Sequence, residues 1–237
     1  MNNLERFDLR YVLLIAMMLV VPVFVYGQQP TTADRVAAFK QSLGQNKVRL
    51  SKYQWIETTT VMLKGEVKSV KQKQCYYGPD GKVQKVDITP PAPAAQPSGG
   101  RLKQRIVAHK KEELTDYMKE AVALIEQYVP PDPELIQFSK ATNNIQVTPP
   151  NQSGVLRVNI PNFIKPGDLL SGGLNVLNNS IADINVSTFV DSPKDVVTLA
   201  VNFSTLPDGT SYSGRTVLDA QAKDVKVVVE NSGYRSR

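Results

Sequence analysis

Few groups in this chain of 237 residues could do chemistry, and they are scattered. There is one histidine, His109, and one cysteine, Cys75. His109 sits in "IVAHKKEEL", a basic and polar helix start where a solvated surface imidazole is the ordinary outcome. A zinc site needs three or four nitrogen and sulfur ligands, which one His and one Cys in separate elements do not supply. A Ser-His-Asp triad would have to use His109, and no Gly-x-Ser-x-Gly elbow accompanies it. Phosphate loops and dinucleotide Gly-rich motifs are absent from the sequence. Cys75 follows Lys71 and Lys73 at strand period, which would lower a thiol pKa, against the plainer reading of an inert thiol. That leaves Glu57, between Trp55 and Thr59, where a carboxylate needs a partner such as Lys68 or Arg49. The pattern points away from an enzyme, and no cofactor or metal is expected.

The elements that would position these groups are easier to read. Thr31 or Thr32 can cap a helix whose stripe is Val36, Phe39, Leu43, Lys47 and Leu50, with Gly44 weakening it by about 1 kcal/mol. Tyr53 to Ile88 then reads as three strands, turning at Lys64-Gly65 and at Gly78-Pro79-Asp80-Gly81. "PPAPAAQPSGG", Pro90 to Gly100, is an exposed, semi-extended loop. A helix over 112–129 carries Leu114, Met118, Ala121, Ile125 and Tyr128 on one side, widened by Tyr117, Val122 and Leu124. Pro130-Pro131 ends it, and Asp132 with Pro133 starts a short successor. From Gly154 six further extended runs follow, the clearest turns being Asn178-Asn179 and Pro207-Asp208-Gly209. About nine strands and three helices in the order α, β3, αα, β6 argue for the α+β class. The sheet would be mostly antiparallel, with helices on one face.

Within the first hairpin, a two-residue loop at Lys64-Gly65 pairs Leu63 with Glu66 and Tyr53 with Tyr76. One face then holds Tyr53, Trp55, Thr59, Val61 and Leu63 opposite Val70 and Tyr76. The other holds Ser69, Lys71, Lys73 and Cys75. One face is covered and the lysine face is wet. Long, strongly twisted strands of this kind curl into an open half-barrel.

The N-terminus and the charge bound the location and the partners. Tyr11 to Val25 is an uncharged apolar run of 15 residues after Arg6 and Arg10. With Val25 and Gly27 placed for cleavage, residues 1–27 read as a secretory signal, and a retained anchor is the rival. Removing it leaves 28–237, enough for a single domain, periplasmic or secreted. One cysteine allows no intramolecular disulfide. Between Lys64 and Lys111 there are 11 basic residues against three acidic ones, a local charge of +8. Such a patch suits an anionic surface or an acidic envelope protein, with Lys71 and Lys73 the expected contact, and nucleic acid is not expected.

Two segments, "YQWIETTTVMLKGEVKSVKQKQCYYGPDGK" and "VVTLAVNFSTLPDGTSYSGRTVLDA", resemble a family of exported bacterial proteins. The order of elements is similar to that of the lipoprotein-carrier superfamily, LolA, LolB and their relatives. That resemblance implies a half-barrel closed by a helical lid over a hydrophobic cavity. It makes the expected role a non-catalytic carrier of a lipid or acylated chain. The expected ligand-binding residues are Trp55, Val61, Leu63, Val70 and Tyr76 on the sheet with Leu114, Tyr117, Met118, Ala121 and Ile125 on the lid. The alternative role is a protein-interaction module using the basic sheet surface and the Pro-rich loop.

Overall fold

The fold is that of a computed structural model, which describes residues 32–90 and 101–237. The expected signal segment and residues 91–100 of the Pro-rich stretch lie outside the described residues. The elements run α1 (Thr32–Leu50), β1 (Tyr53–Leu63), β2 (Glu66–Tyr77), β3 (Val83–Asp87), α2 (Arg101–Ile125), α3 (Pro133–Ala141), then β4 (Gln146–Thr148), β5 (Val155–Pro161) and β6 (Leu169–Asn175). Strands β7 (Ser180–Phe189), β8 (Val196–Thr205), β9 (Ser211–Ala220) and β10 (Val225–Ser236) complete the chain. Ten antiparallel strands form one open sheet in the order β3-β2-β1-β10-β9-β8-β7-β6-β5-β4. The class is α+β. The tenth strand, missing from the sequence reading, is β4, an edge piece of three residues.

Two meanders build this sheet, and they meet at a single joint. Strands β1 to β3 are sequential neighbours, as are β4 to β10, and the two sets meet where β1 pairs with β10. The helices α2 and α3 occupy the chain between the meanders. Local chemistry explains the boundaries. Lys64 and Gly65 both take left-handed φ, 53° and 78°, which a tight hairpin turn demands. Asp132 accepts a hydrogen bond from the Glu134 N–H at 2.8 Å and caps α3, with Pro133 at its first position. Helix α2 starts 11 residues earlier than its apolar stripe indicates, because Arg101–Lys111 is helical without presenting apolar residues at every turn.

All three helices pack on one face of the sheet, over two clusters. The larger joins Met118, Ala121, Val122 and Ile125 of α2 and Ile136 of α3 to inward residues of β5–β10 such as Ile184, Leu199 and Val227. The smaller is Leu50, Trp55, Cys75 and Tyr77 with Val83, Tyr212 and Tyr234 packed against it. Helix α1 spans both, with Phe39 and Leu43 in the first and Leu50 in the second. At the far end of the larger cluster the buried Asp168 carboxylate fastens the β5–β6 loop. It accepts from the N–H groups of Phe163, Ile164 and Lys165 and from the Tyr128 hydroxyl at 2.6 Å. No helix among the described residues is long and apolar enough to cross a membrane.

The pairing of the first hairpin corrects the sequence reading. Leu63 does face Glu66, and Met62 faces Val67, but Val61 faces Ser69, so Lys68 is an extra residue in β2. Beyond that bulge every pair shifts by one: Trp55 faces Cys75, Glu57 faces Lys73 and Gln54 faces Tyr76. A one-residue slip exchanges the two faces of a strand. Val70 and Tyr76 therefore lie on the outer face, Val70 being 47% exposed. Lys71 and Lys73 share the Trp55 face instead of standing on a separate wet one.

Candidate functional site

The candidate site is a cleft of about 150 Å³ under the C-terminal half of α1. Its apolar lining is Leu43 from α1, Ile181 from β7, Phe203 from β8 and Tyr77 from β2. The first three belong to the larger cluster and Tyr77 to the smaller, so the cleft opens at the seam between them. Along β1 the same seam is marked by Glu57 and Thr59, between Trp55 in one cluster and Val61 and Leu63 against the other. The rim is polar and includes the Asn178-Asn179 turn and Lys47 and Arg49 of α1. Two of the lining residues are cationic and none is anionic.

One side chain holds the roof in place. Asn46 donates through Nδ2 to the Ser211 carbonyl at 2.8 Å and accepts from the Ser211 N–H at 2.6 Å. This pair ties α1 to the start of β9 across the cleft. Next to it Asp208 accepts from the Thr210 N–H at 2.9 Å, the Thr210 hydroxyl at 2.9 Å and the Tyr53 hydroxyl at 2.8 Å. Chiefly the backbone bond from Thr210, then the bond from Tyr53, hold the Asp208 carboxyl below the ordinary carboxylate range. The Arg49 charge adds to this. Arg49 itself is incompletely satisfied. Its Nε is buried with no hydrogen-bond partner, the single buried side-chain nitrogen or oxygen in that state among the described residues.

Beside the cleft, the smaller cluster is an aromatic floor. Trp55 stacks on Tyr234 at 5.6 Å and 11° and lies 5.8 Å from Tyr77, while Tyr212 is 4.3 Å from Tyr234. The indole N–H donates to Asn231 at 3.0 Å. Cys75 beneath them is fully buried, and that burial, with the nearby Glu57 charge, pushes its thiol up to about 12. A thiol of that kind is no nucleophile near neutral pH. Glu57 finds its partner in Lys85, whose Nζ lies 2.9 and 2.8 Å from its two oxygens, and not in Lys68 or Arg49. His109 is an exposed surface residue, 3.2 Å from Glu113 one turn on. Among the described residues no three His, Cys, Asp or Glu side chains group closely enough to hold a metal ion.

The residues expected to line a ligand cavity divide into three groups. Val61, Leu63, Leu114, Tyr117, Met118, Ala121 and Ile125 do come together, in or against the larger cluster, where Ala121 and Ile125 are completely covered. Trp55 is buried in the other cluster, and Val70 and Tyr76 belong to neither. Leu43 was visible as part of the α1 stripe and Arg49 only as a partner for Glu57, while Ile181, Phe203 and Asn46 were not singled out as site residues. One signal was available: Lys47 falls on the stripe that packs α1, and a cation there marks a place where packing stops.

No protein-family model and no curated protein matches the sequence. Among solved structures the chain is similar to a DUF1329 family protein from Desulfovibrio piger, at 11% identity and a TM-score of 0.39, over 84% of this chain and 92% of that one. It is similar also to a LolA superfamily protein from Nitrosomonas europaea, at 10% identity and a TM-score of 0.37, over 85% and 93%. At such identities and TM-scores these are likenesses of architecture, and nothing about ligand or role follows from them.

Proposed function

We propose that this chain is an exported, non-catalytic binding protein that holds an apolar or amphiphilic molecule, a lipid or an acylated chain, between its sheet and its helices. The observation that carries the reading is the cleft at the seam. It has an apolar floor, a polar rim, and a roof helix tied down by one asparagine. A closed apolar cavity of about 150 Å³ takes a benzene-sized group, and this open cleft offers similar space beside Leu43, Ile181 and Phe203. The reading includes cleavage of residues 1–27 near Gly27 and a single domain over 28–237 in the periplasm or outside the cell. It also includes a sheet curved toward a half-barrel. Bulges bend strands, and the ladder shifts register at β1–β2, β1–β10, β6–β7 and β8–β9. Between α2 and the sheet the apolar surface is already covered by protein. The stripe of Leu114, Tyr117, Met118, Ala121 and Ile125 would meet a longer chain only if α2 lifts, whereas the α1 cleft is open as it stands.

Trp55 is the built-in reporter, because Tyr77 lies between it and the cleft. Titrating purified protein with a medium-chain amphiphile below its micellar concentration should shift Trp55 emission saturably and raise the melting temperature. Stabilisation follows RT ln(1 + [L]/Kd), about 2.7 kcal/mol at a hundred-fold excess over Kd. Absence of any saturable response to any amphiphile overturns the reading.

A second reading, a protein-interaction module, is favoured by a different surface. Val67, Val70, Val86 and Ile88 are all exposed on the outer face of the β2–β3 edge. Native mass spectrometry of detergent-free protein separates the two, one by a retained small molecule and the other by a retained polypeptide.

A further inference from the structure

We infer that the α1 cleft selects an amphiphile with an anionic oxygen head, a carboxylate or a phosphate, and that Arg49 is the residue that recognises it. The inference rests on the binding role proposed above and adds the chemical class of the ligand. The argument starts from the unsatisfied donor. A buried N–H without an acceptor is unfavourable, and native structures keep such groups rare. Here the residue that carries it lines the cleft, and the group is a guanidinium, shaped to bind planar oxyanions and to act as a donor only. Nε is closed off as the structure stands, so an acceptor in the cleft satisfies it when the Arg49 side chain turns toward the opening.

The charge of the lining points the same way. Lys47 and Arg49 face the space and no lining residue carries a carboxylate. Asp208, which feels the Arg49 charge, already accepts three hydrogen bonds from Thr210 and Tyr53 and is not among the lining residues. A head group at Arg49 would leave the attached carbons against Leu43, Ile181 and Phe203. The space of the cleft holds roughly six of them by comparison with a benzene-sized cavity. The two ends of the site thus want the two ends of one molecule.

The test compares octanoate with octan-1-ol, and both with acetate and inorganic phosphate, reading Trp55 emission and melting temperature on the exported chain. Octanoate should bind about ten-fold or more tightly than octanol, the range for a hydrogen bond to a charged group. Arg49→Gln should bring octanoate down to the octanol level and leave octanol unchanged. Lys47→Gln should produce a smaller loss that fades as salt is raised. Should Arg49→Gln fold poorly, Arg49→Lys makes the same comparison. It keeps the charge but loses the planar donor, and should also reduce the preference.

Equal binding of octanol and octanoate, or a preference that survives both Arg49 variants, overturns the inference and leaves the amphiphile reading standing. Acetate or phosphate binding as tightly as octanoate keeps the anion site and overturns the amphiphile reading. Failure of all four probes overturns both.

Discussion

The two clusters on the helix-bearing face solve the same packing problem with different materials. Under α2 the surface is aliphatic, and the helix offers Met118, Ala121, Val122 and Ile125 in successive turns. The contact is continuous and leaves Ala121 and Ile125 no exposed surface. Under the end of α1 the surface is made largely of rings, and the cleft opens beside them at Tyr77. Between Leu43 and Leu50 the helix presents Asn46 and Lys47 to the cleft instead of aliphatic groups. A helix seals a sheet when its stripe is unbroken, and leaves a cleft where polar residues interrupt it.

Three experiments break or sharpen that contrast. The largest effect is expected from the aromatic floor. Trp55 is 7% exposed, and Trp55→Ala removes a stacked ring and strands the Asn231 acceptor. The expected loss is about 3–5 kcal/mol by chemical denaturation. In the wild type, emission should be blue-shifted and poorly quenched by iodide, and a freely quenched tryptophan would undo the assignment of faces.

Next comes overpacking of the sealed side. Ala121→Phe has no space to enter, so it should cost about 1–3 kcal/mol while leaving the Trp55 response to amphiphiles intact. If that variant is stable and loses the response, the ligand space lies under α2 and the contrast between the helices fails.

The smallest effect concerns pH. The Cys75 thiol is raised in the folded protein, so its contribution is fully present below the unfolded thiol pKa of about 8.5. It is lost as pH climbs toward about 12, because the unfolded chain ionises first. Stability should therefore decline from about pH 8.5 upward, and Cys75→Ala should remove the first part of that decline. An identical profile in the variant would show that Cys75 contributes nothing to it.

How much of this was legible follows from where each signal resides. Turns are local, and Lys64-Gly65 and Asp132-Pro133 identify themselves by the backbone angles they permit. Strand and helix order follows from those turns and from periodicity. The slip at Lys68 has no such mark: a bulge changes pairing without requiring any particular residue, and it reversed the faces of Val70, Tyr76, Lys71 and Lys73. The cleft was harder still, since its walls come from α1, β2, β7, β8 and the start of β9. No window of sequence contains them together. Tyr212 and Tyr234 entered the aromatic floor unannounced for the same reason. Tyr234 follows Gly233, whose φ of 64° marks the irregular pairing of β10 with β1.

The joint between β1 and β10 has a consequence for the order in which the molecule can assemble. Thr59 pairs with Val229, so the two meanders are fastened by contacts that span most of the described chain. Contacts that distant form late, after loop closure has been overcome, and topologies dominated by them fold slowly. Until β10 arrives, β1 offers an open hydrogen-bonding edge, and the aromatic floor lacks Tyr234. The aromatic floor beside the cleft is thus completed only when β10 is in place. A chain interrupted before residue 225 would lack the joint altogether, and its two meanders would be left as separate ribbons with unsatisfied margins.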